Sequence, residues 1–358
     1  MPLGSRYAQI GAASLICVRA RNSRDRPGVA NGMASLNVPL SILDRANSRE
    51  GSSEADALQA VLGRAESAEA LGYRRFWVAE HHAVAGIAGS SPAVLMAALA
   101  ARTGSIRIGS GGIMLPNHPP LLVAEQAATL AALHPGRIDL GVGRSVGFTA
   151  AVRRALRTGK AEAEQSEEHL AELLAYLDGT APITARPQDG GRTPVFVLAT
   201  GTGADVAARA GLGLVLGGPA LFRSNPGSAL ERYRTGFRPS ARFPHPHVLA
   251  AVNVAVAHTE QAAVDLLLPE AGALADSRLM GTFPALAAPG PVSGPERRQE
   301  LIRESLRHSI HGTPGVVLDR IRELVAATGA DEVLVTGGAF DLEGQCEWDR
   351  LLADLGAA

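Results

Sequence analysis

The strongest constraint on the fold is an alternation of short apolar segments with longer amphipathic ones, which begins at residue 36 and runs almost to the end of the chain. The segment 54–71, for example, places Leu58, Val61 and Leu62 on one stripe and is followed by Gly72, which predicts a helix. Several of the short segments are continuously apolar, as expected for strands buried on both faces. Eight such strand–helix units over about 320 residues predict a (β/α)8 TIM barrel of the α/β class. A doubly wound Rossmann domain with a second, separate domain is the alternative.

The boundaries of these units follow from the apolar periodicity and from Gly and Pro positions. The predicted strands are 38–43, 75–79, 105–115, 137–142, 195–198, 212–216, 248–257 and 333–335. The predicted helices are 54–71, 92–102, 120–133, 150–177, 204–210, 228–235, 259–275, 296–309, 315–328 and 346–355. A Gly/Pro-rich passage at 281–295 predicts an extended segment before the last strand.

The beginning of the chain differs in composition from the rest. Residues 1–32 contain five arginines and one acidic residue, Asp25. We therefore expect 1–35 to be an N-terminal extension, disordered in the free protein, and 36–358 to be the catalytic barrel domain.

Composition excludes several classes of partner. The formal net charge is −1 and aromatic residues make up 4%, which disfavours a nucleic-acid surface, since such surfaces are usually basic and use aromatic stacking. The longest apolar runs, such as 92–101, have about ten residues, well short of the roughly 20 that cross a bilayer. We therefore expect a cytoplasmic protein that binds neither nucleic acid nor membrane.

In a barrel of this kind the chemistry lies where strands end and the following loops begin. The polar or glycine-rich residues that follow predicted strands are Asp44, Glu80-His81-His82, Asn117-His118, Gly143-Arg144-Ser145, Thr200-Gly201-Thr202-Gly203 and Thr336-Gly337-Gly338.

Glu80-His81-His82 is the densest ionisable cluster at any strand end. Adjacent side chains on a strand point to opposite faces, so we expect one histidine to face the barrel mouth and the other to pack behind it. An imidazole at the mouth is suited to hydrogen bonding or proton transfer near neutral pH, and a purely structural role is the alternative. A metal site would need His118 or His247 to complete it, and no metal is expected.

Two loops favour binding of a phosphate group. The Arg144 guanidinium can hold a phosphate with two parallel hydrogen bonds, although a solvated arginine at the rim would look the same. The turn 200–203 leads directly into a helix, whose first amides form an anion site, although Thr202 would also serve as a plain N-cap. With Arg144 on a neighbouring loop, the phosphate interpretation is favoured.

Gly109-Ser110-Gly111-Gly112 lies inside a predicted strand. Glycine weakens a strand, so this run indicates either the close approach of a flat ligand or a crowded packing contact.

Four segments together resemble the bacterial luciferase-like flavin monooxygenases, in particular single-chain members associated with aromatic polyketide biosynthesis. The matching stretches are LSILD at 40–44, FWVAEHH at 76–82, RIGSGGIMLPNHP at 107–119 and HPGRIDLGVGR at 134–144. The similarity extends over about 36–355. Near its end lie the tripeptide Gly-Thr-Pro at 312–314 and the segment DEVLVT at 331–336.

The resemblance implies a TIM barrel that binds FMN without a covalent bond, receives it reduced from a separate flavin reductase, and reacts with O2 through a flavin C4a-hydroperoxide to oxidise an organic substrate. It implies that His81 is the catalytic histidine, with Glu80 and His82 beside it. It places a cis peptide at Gly111-Gly112 next to the flavin ring. The implied phosphate-binding residues are Arg144, Thr200, Gly201, Thr202 and Gly203, with Arg153 as a further candidate.

Three other functions remain open at this stage. The same barrel serves F420-dependent hydride-transfer enzymes, and a flavin-binding barrel without turnover would show the same pattern. A metal-dependent hydrolase using Glu80, His81 and His118 is the third. The resemblance also implies a homodimer formed through the helices after strands 2 and 3. Because the substrate would be held by loops of unknown shape, the sequence leaves both the substrate and the type of oxygenation open.

Overall fold

The computed structural model describes residues 35–147, 149–188, 191–199, 201–222 and 227–356. The predicted N-terminal extension lies outside these ranges except for Ser35, and Thr200 also lies outside them. The division of the chain at residue 35 therefore stays a prediction.

The described strands form one parallel sheet that closes into a barrel. They are β1 (Leu40–Asp44), β2 (Arg75–Val78), β3 (Arg107–Ser110), β4 (Ile113–Met114), β5 (Ile138–Gly143), β6 (Val195–Ala199), β7 (Gly213–Gly217), β8 (Val248–Val256), β9 (Ser309–Gly312) and β10 (Glu332–Thr336). Neighbours run in the order β10-β1-β2-β3-β5-β6-β7-β8, and pairing of β10 with β8 closes the ring. These eight barrel strands confirm the predicted (β/α)8 barrel. The short strand β4 continues the line of β3, and β9 pairs with β8 beside the barrel.

Helices follow the strands. They are α1 (Glu54–Leu71), α2 (Pro92–Arg102), α3 (Pro120–Leu133), α4 (Ala150–Leu156), α5 (Lys160–Glu164), α6 (Ser166–Asp178), α7 (Gly203–Ala210), α8 (Gly227–Gly236), α9 (Glu260–Met280), α10 (Glu296–Arg307), α11 (Pro314–Thr328) and α12 (Leu342–Gly356). Among the described residues, none of these helices has the length and hydropathy needed to cross a membrane.

Local signals set the helix ends. Ser53 and Asp56 form a capping box at the start of α1, and Gly72, with φ 87°, ends it in the left-handed conformation that glycine adopts without steric cost. Proline occupies the first position of α2 and α3, where its missing N–H leaves no hydrogen bond broken.

Charged side chains fix the end of the barrel opposite the mouth. Arg75 donates to Asp139 at 2.6 Å and to Glu332 at 2.9 Å, and all three side chains are buried. Above them Trp77 packs edge-on against Phe196, with ring centroids 5.0 Å apart. Because this layer fills the interior, a ligand can enter only at the carboxyl ends of the strands.

Three elements differ most from the prediction. The strand expected at 105–115 is two short strands, β3 and β4, with the cis peptide at Gly111-Gly112 between them. The helix expected at 150–177 is three helices, because Arg157 at φ 56° ends α4 and Gly159 precedes α5. Strand β9 was not predicted; it pairs with the second half of β8, and α9, an extended passage and α10 precede it. The extended segment before the last strand is confirmed.

Candidate functional site

A cavity of about 960 Å³ opens at the carboxyl ends of the strands. Such a volume is suited to a ligand of drug or cofactor size. Its walls include Glu80 and His81 after β2, Gly111 and Gly112 between β3 and β4, and Arg144 after β5. The cavity thus brings together most of the residues that the sequence predicted.

The Glu80 carboxylate is buried at the centre of a hydrogen-bond cluster. It accepts from His82 Nε2 at 2.6 Å, His118 Nε2 at 3.0 Å, Asn117 Nδ2 at 3.2 Å and the Met114 amide at 2.9 Å. Burial by itself would raise the pKa of Glu80, but the bonds and charge of His118 and the bonds from His82 and Met114 hold it below its usual value. Glu80 therefore stays ionised and ties the end of β2 to the loop before α3.

His81 lies on the cavity wall, whereas His82 turns back to Glu80. This agrees with the prediction that adjacent histidines face opposite sides. Burial, followed by the positive charge of Arg45, lowers the pKa of His81 to about 4. The imidazole is therefore neutral at neutral pH.

The ligand atoms of Glu80, His82 and His118 lie within 4.8 Å of one another, a spacing that a divalent cation could span. The metal site considered from sequence contained His81, and the structure places His82 there instead. In the structure both histidines bond directly to Glu80, and these bonds already satisfy the buried carboxylate.

Another wall of the cavity, after β5 and β6, carries the expected phosphate-binding loops. Arg144 is exposed and makes no hydrogen bond or ion pair with any residue that the structure describes. Thr202 precedes α7 without a side-chain capping bond, and both Thr202 and Gly203 line the cavity. Apart from the adjacent residues in the chain, no heavy atom of the described residues lies within 4 Å of where a Cβ would stand on Gly143 or Gly201. This wall has room, free donors and a positive charge for a phosphate group.

Gly111 and Gly112 line the cavity, and the peptide bond between them is cis, as the resemblance implies. A Cβ on Gly111 would come within 2.5 Å of Leu43, and one on Gly112 within 2.8 Å of the Gly141 carbonyl oxygen. Packing thus explains why both positions are glycine. The predicted contact with a flat ligand stays a prediction.

Arg153 is not among the cavity residues. It lies on α4 and donates to the Gly147 carbonyl at 2.9 Å. Its proposed phosphate contact therefore stays a prediction that the cavity geometry does not support.

Sequence reasoning chose the wrong residue at the end of β1. Asp44 accepts from Arg64 at 2.9 Å and from the Ala46 amide at 2.7 Å, and it lies outside the main cavity. Its neighbour Arg45 lines the cavity instead. Period-two alternation allows one of the two to face the mouth, but only the closed barrel shows which.

One wall comes from outside the strand ends. Lys160, Ala163 and Glu164 of α5, together with Glu167 and Leu170 of α6, border the cavity. The prediction of a single helix through this region concealed the bend that brings them over the barrel.

Comparison with known proteins gives the family. The family model of luciferase-like monooxygenases matches residues 39–332. A protein of Escherichia coli strain K12 named luciferase-like monooxygenase is 33% identical over 338 residues, covering 90% of this chain and 98% of that protein. The crystal structure of apo-MsnO8 superimposes with a TM-score of 0.76 at 31% identity, covering 89% of this chain and 98% of the other.

More distant structures share the fold alone. The oxygenating constituent of 3,6-diketocamphane monooxygenase from Pseudomonas putida, a type II Baeyer–Villiger enzyme solved with FMN, has a TM-score of 0.66 at 16% identity over 89% of this chain and 97% of that one. An F420-dependent secondary alcohol dehydrogenase has the same score and identity over 90% of this chain and 100% of that one. On the family model and the relatives above 30% identity, the chain belongs to the luciferase-like monooxygenase family.

Proposed function

We propose that this protein is a monooxygenase that uses reduced FMN and O2 to oxidise a small organic substrate. The observation that carries the proposal is the arrangement of one cavity, which has the free Arg144 and the start of α7 on one wall and the neutral His81 on another. A phosphate-bearing, flat cofactor with a substrate beside it matches this arrangement.

The residues present fit FMN. Arg144 would pair with the phosphate, and the Thr202 hydroxyl and the amides at the start of α7 would donate to it. The ring would then lie toward Gly111 and Gly112, between the two walls. When bound, reduced FMN supplies the electrons that activate O2.

The protein's part in the reaction is to position groups and to present a neutral, hydrogen-bonding imidazole. His81 lines the cavity and, as a neutral imidazole, forms a hydrogen bond with the substrate. Glu80 and His82 act by position, because Glu80 bonds to both His82 and His118 and so holds the loop beside His81 in place. Apolar lining from Leu43, Val142 and Val197 keeps water away from the reacting groups.

We further propose a cytoplasmic homodimer that receives reduced FMN from a separate reductase. Three large apolar side chains stand exposed on the helices after β2 and β3: Val94 is 69% exposed on α2, and Leu122 and Leu133 are 45% and 67% exposed on α3. Such a face is suited to burial against a second copy. The resemblance also favours a role in aromatic polyketide biosynthesis.

The second candidate is F420-dependent hydride transfer, which the similarity in fold to the F420-dependent dehydrogenase favours. F420 also carries phosphate, so the same wall would receive it. A flavin-binding barrel without turnover is the third candidate.

Isotope labelling tests the proposal. Protein, FMN, a flavin reductase and ¹⁸O2 are incubated with a panel that includes aromatic polyketides, ketones and thioethers. Transfer of one ¹⁸O atom to a product, lost in His81→Gln while FMN binding is retained, is the expected result. Label-free product, or equal turnover in His81→Gln, would contradict it.

A further inference from the structure

The cavity contains a fixed cation that the proposed FMN site does not use. Arg45 follows β1 and lines the cavity beside His81, which follows the neighbouring strand β2. Around the ring of eight strands, β1 is four strands away from β6. Arg45 therefore lies across the barrel mouth from the turn before α7. It is therefore separated from the wall on which the FMN phosphate would be held.

The backbone and side chain of Arg45 are both held in place. Before it, Asp44 is fixed by Arg64; after it, Ala46 takes a left-handed conformation with φ 57°. Arg45 Nη1 donates to Oε1 of Glu270, a residue that is 1% exposed on α9. The other oxygen of Glu270 accepts from the Gly338 amide at 3.0 Å, so this carboxylate cannot swing away.

Two other arginines in this chain use their N–H donors to hold two carboxylates each. Arg75 bridges the carboxylates of Asp139 and Glu332. Arg64 likewise bridges Asp44 and Asp349, using Nε, Nη1 and Nη2. Both of these arginines are buried, and each holds two carboxylates.

Among the described residues, Arg45 pairs with one carboxylate, that of Glu270, through Nη1. Its side chain is 25% exposed and lines the cavity. The N–H groups that Glu270 does not use are therefore available to a second carboxylate in the cavity.

Arg144 belongs to the proposed phosphate wall, and the two remaining cations that line the cavity, Lys160 and Arg209, differ from Arg45. Lys160 pairs with Glu164 and Arg209 with Glu167, and these acidic partners are themselves exposed. Such rim pairs contribute little and exchange readily with water. Arg45, in contrast to these two cations, is oriented by a buried carboxylate, that of Glu270.

We propose that Arg45 binds a carboxylate group of the substrate, so that the enzyme acts on an organic acid with an apolar body. The inference deepens the proposed function and rests on it. The acid group would sit at Arg45, and the apolar body would extend past Leu43 and Ala79 toward His81.

A pair of probes of the same shape, one with a carboxylate and one with a neutral amide, tests this assignment. Binding of 4-phenylbutanoate and of 4-phenylbutanamide is measured by calorimetry on the FMN-loaded protein. We expect the wild type to favour the acid by about tenfold or more, as for the loss of a charge-assisted hydrogen bond. Arg45→Gln should bind both probes equally, Arg45→Lys should keep part of the preference, and Lys160→Gln should keep all of it.

Removing Arg45 alone leaves Glu270 buried without its partner, which could destabilise the fold. The double variant Arg45→Gln/Glu270→Gln removes both charges and should show the same loss of preference. Equal binding of the two probes by the wild type, or a preference that persists in the double variant, would overturn the inference.

FMN and riboflavin affinities complete the test. If Arg45→Gln weakens FMN binding more than riboflavin binding, Arg45 is a phosphate ligand and the inference is wrong. If the wild type fails to bind reduced FMN, the proposed function fails instead, and the probe pair still reports on Arg45 in the cofactor-free protein.

Discussion

Replacing His81 should change how stability depends on pH. In the folded protein burial and Arg45 lower the pKa of this imidazole to about 4, against 6.5 for an unperturbed histidine. Below pH 6.5 the unfolded chain takes up a proton at His81 that the folded chain refuses. The His81 contribution to stability is therefore fully present above pH 6.5, falls as the pH drops toward 4, and levels off below that.

The two pKa values give the size of the effect. Between about pH 7.5 and about pH 4.5, proton uptake by His81 in the unfolded state lowers the free energy of unfolding by about 2.5 kcal/mol. This is an upper value, because water reaching the cavity would bring the two pKa values closer together.

Urea unfolding at a series of pH values between these limits measures the change. We expect His81→Gln to lose about 2.5 kcal/mol less stability than the wild type over this range. His81→Asn, which also removes the titrating imidazole, is the matched control and should show the same change as His81→Gln. The other histidines remain in all of these proteins and cancel in the comparison. Equal pH dependence of stability in His81→Gln and the wild type would show that burial does not lower the pKa of His81.

Three further predictions follow from the site and the surface. Arg144→Ala should weaken FMN binding about tenfold or more and change riboflavin binding little, because a charge-assisted contact to phosphate is lost. Fluorescence titration measures both affinities, and equal losses would show that Arg144 does not bind the phosphate. Glu80→Gln should lower the free energy of unfolding by about 1–3 kcal/mol, because donors such as His118 lose a buried acceptor; an unchanged urea midpoint would show that the cluster is not needed for stability. The double variant Val94→Glu/Leu133→Glu should sediment as a monomer at concentrations where the wild type is a dimer, and a persisting dimer would place the interface elsewhere.

Where strong local signals exist, sequence and structure agree closely. The helix bounds 54–71, 92–102 and 120–133 are the observed ones, because a capping box, prolines at first positions and Gly72 fix the ends without help from tertiary contacts. The barrel followed from the alternation of strands and helices, since few other folds accommodate eight parallel units.

What the sequence could not supply is the direction in which side chains point and the path of the longer loops. Choosing Arg45 over Asp44 requires knowing which face of β1 meets the mouth, and that depends on the closure of β1 against β10. The grouping of His118 with Glu80 joins residues 38 positions apart, across a loop whose shape no periodic pattern predicts. The bend between α4 and α5 depends on Arg157 in a left-handed conformation, which non-glycine residues adopt rarely.

The proposed activity requires that this barrel bind reduced FMN and use it to activate O2. The most direct experiment is an anaerobic titration of the purified protein with reduced FMN and, in parallel, with reduced F420. Each complex is then mixed with oxygenated buffer while spectra are recorded. We expect tight binding of reduced FMN, weakened in Arg144→Ala, and oxidation of the bound FMN by O2. Binding of F420 alone, with no reaction toward O2, would instead assign the cavity to hydride transfer.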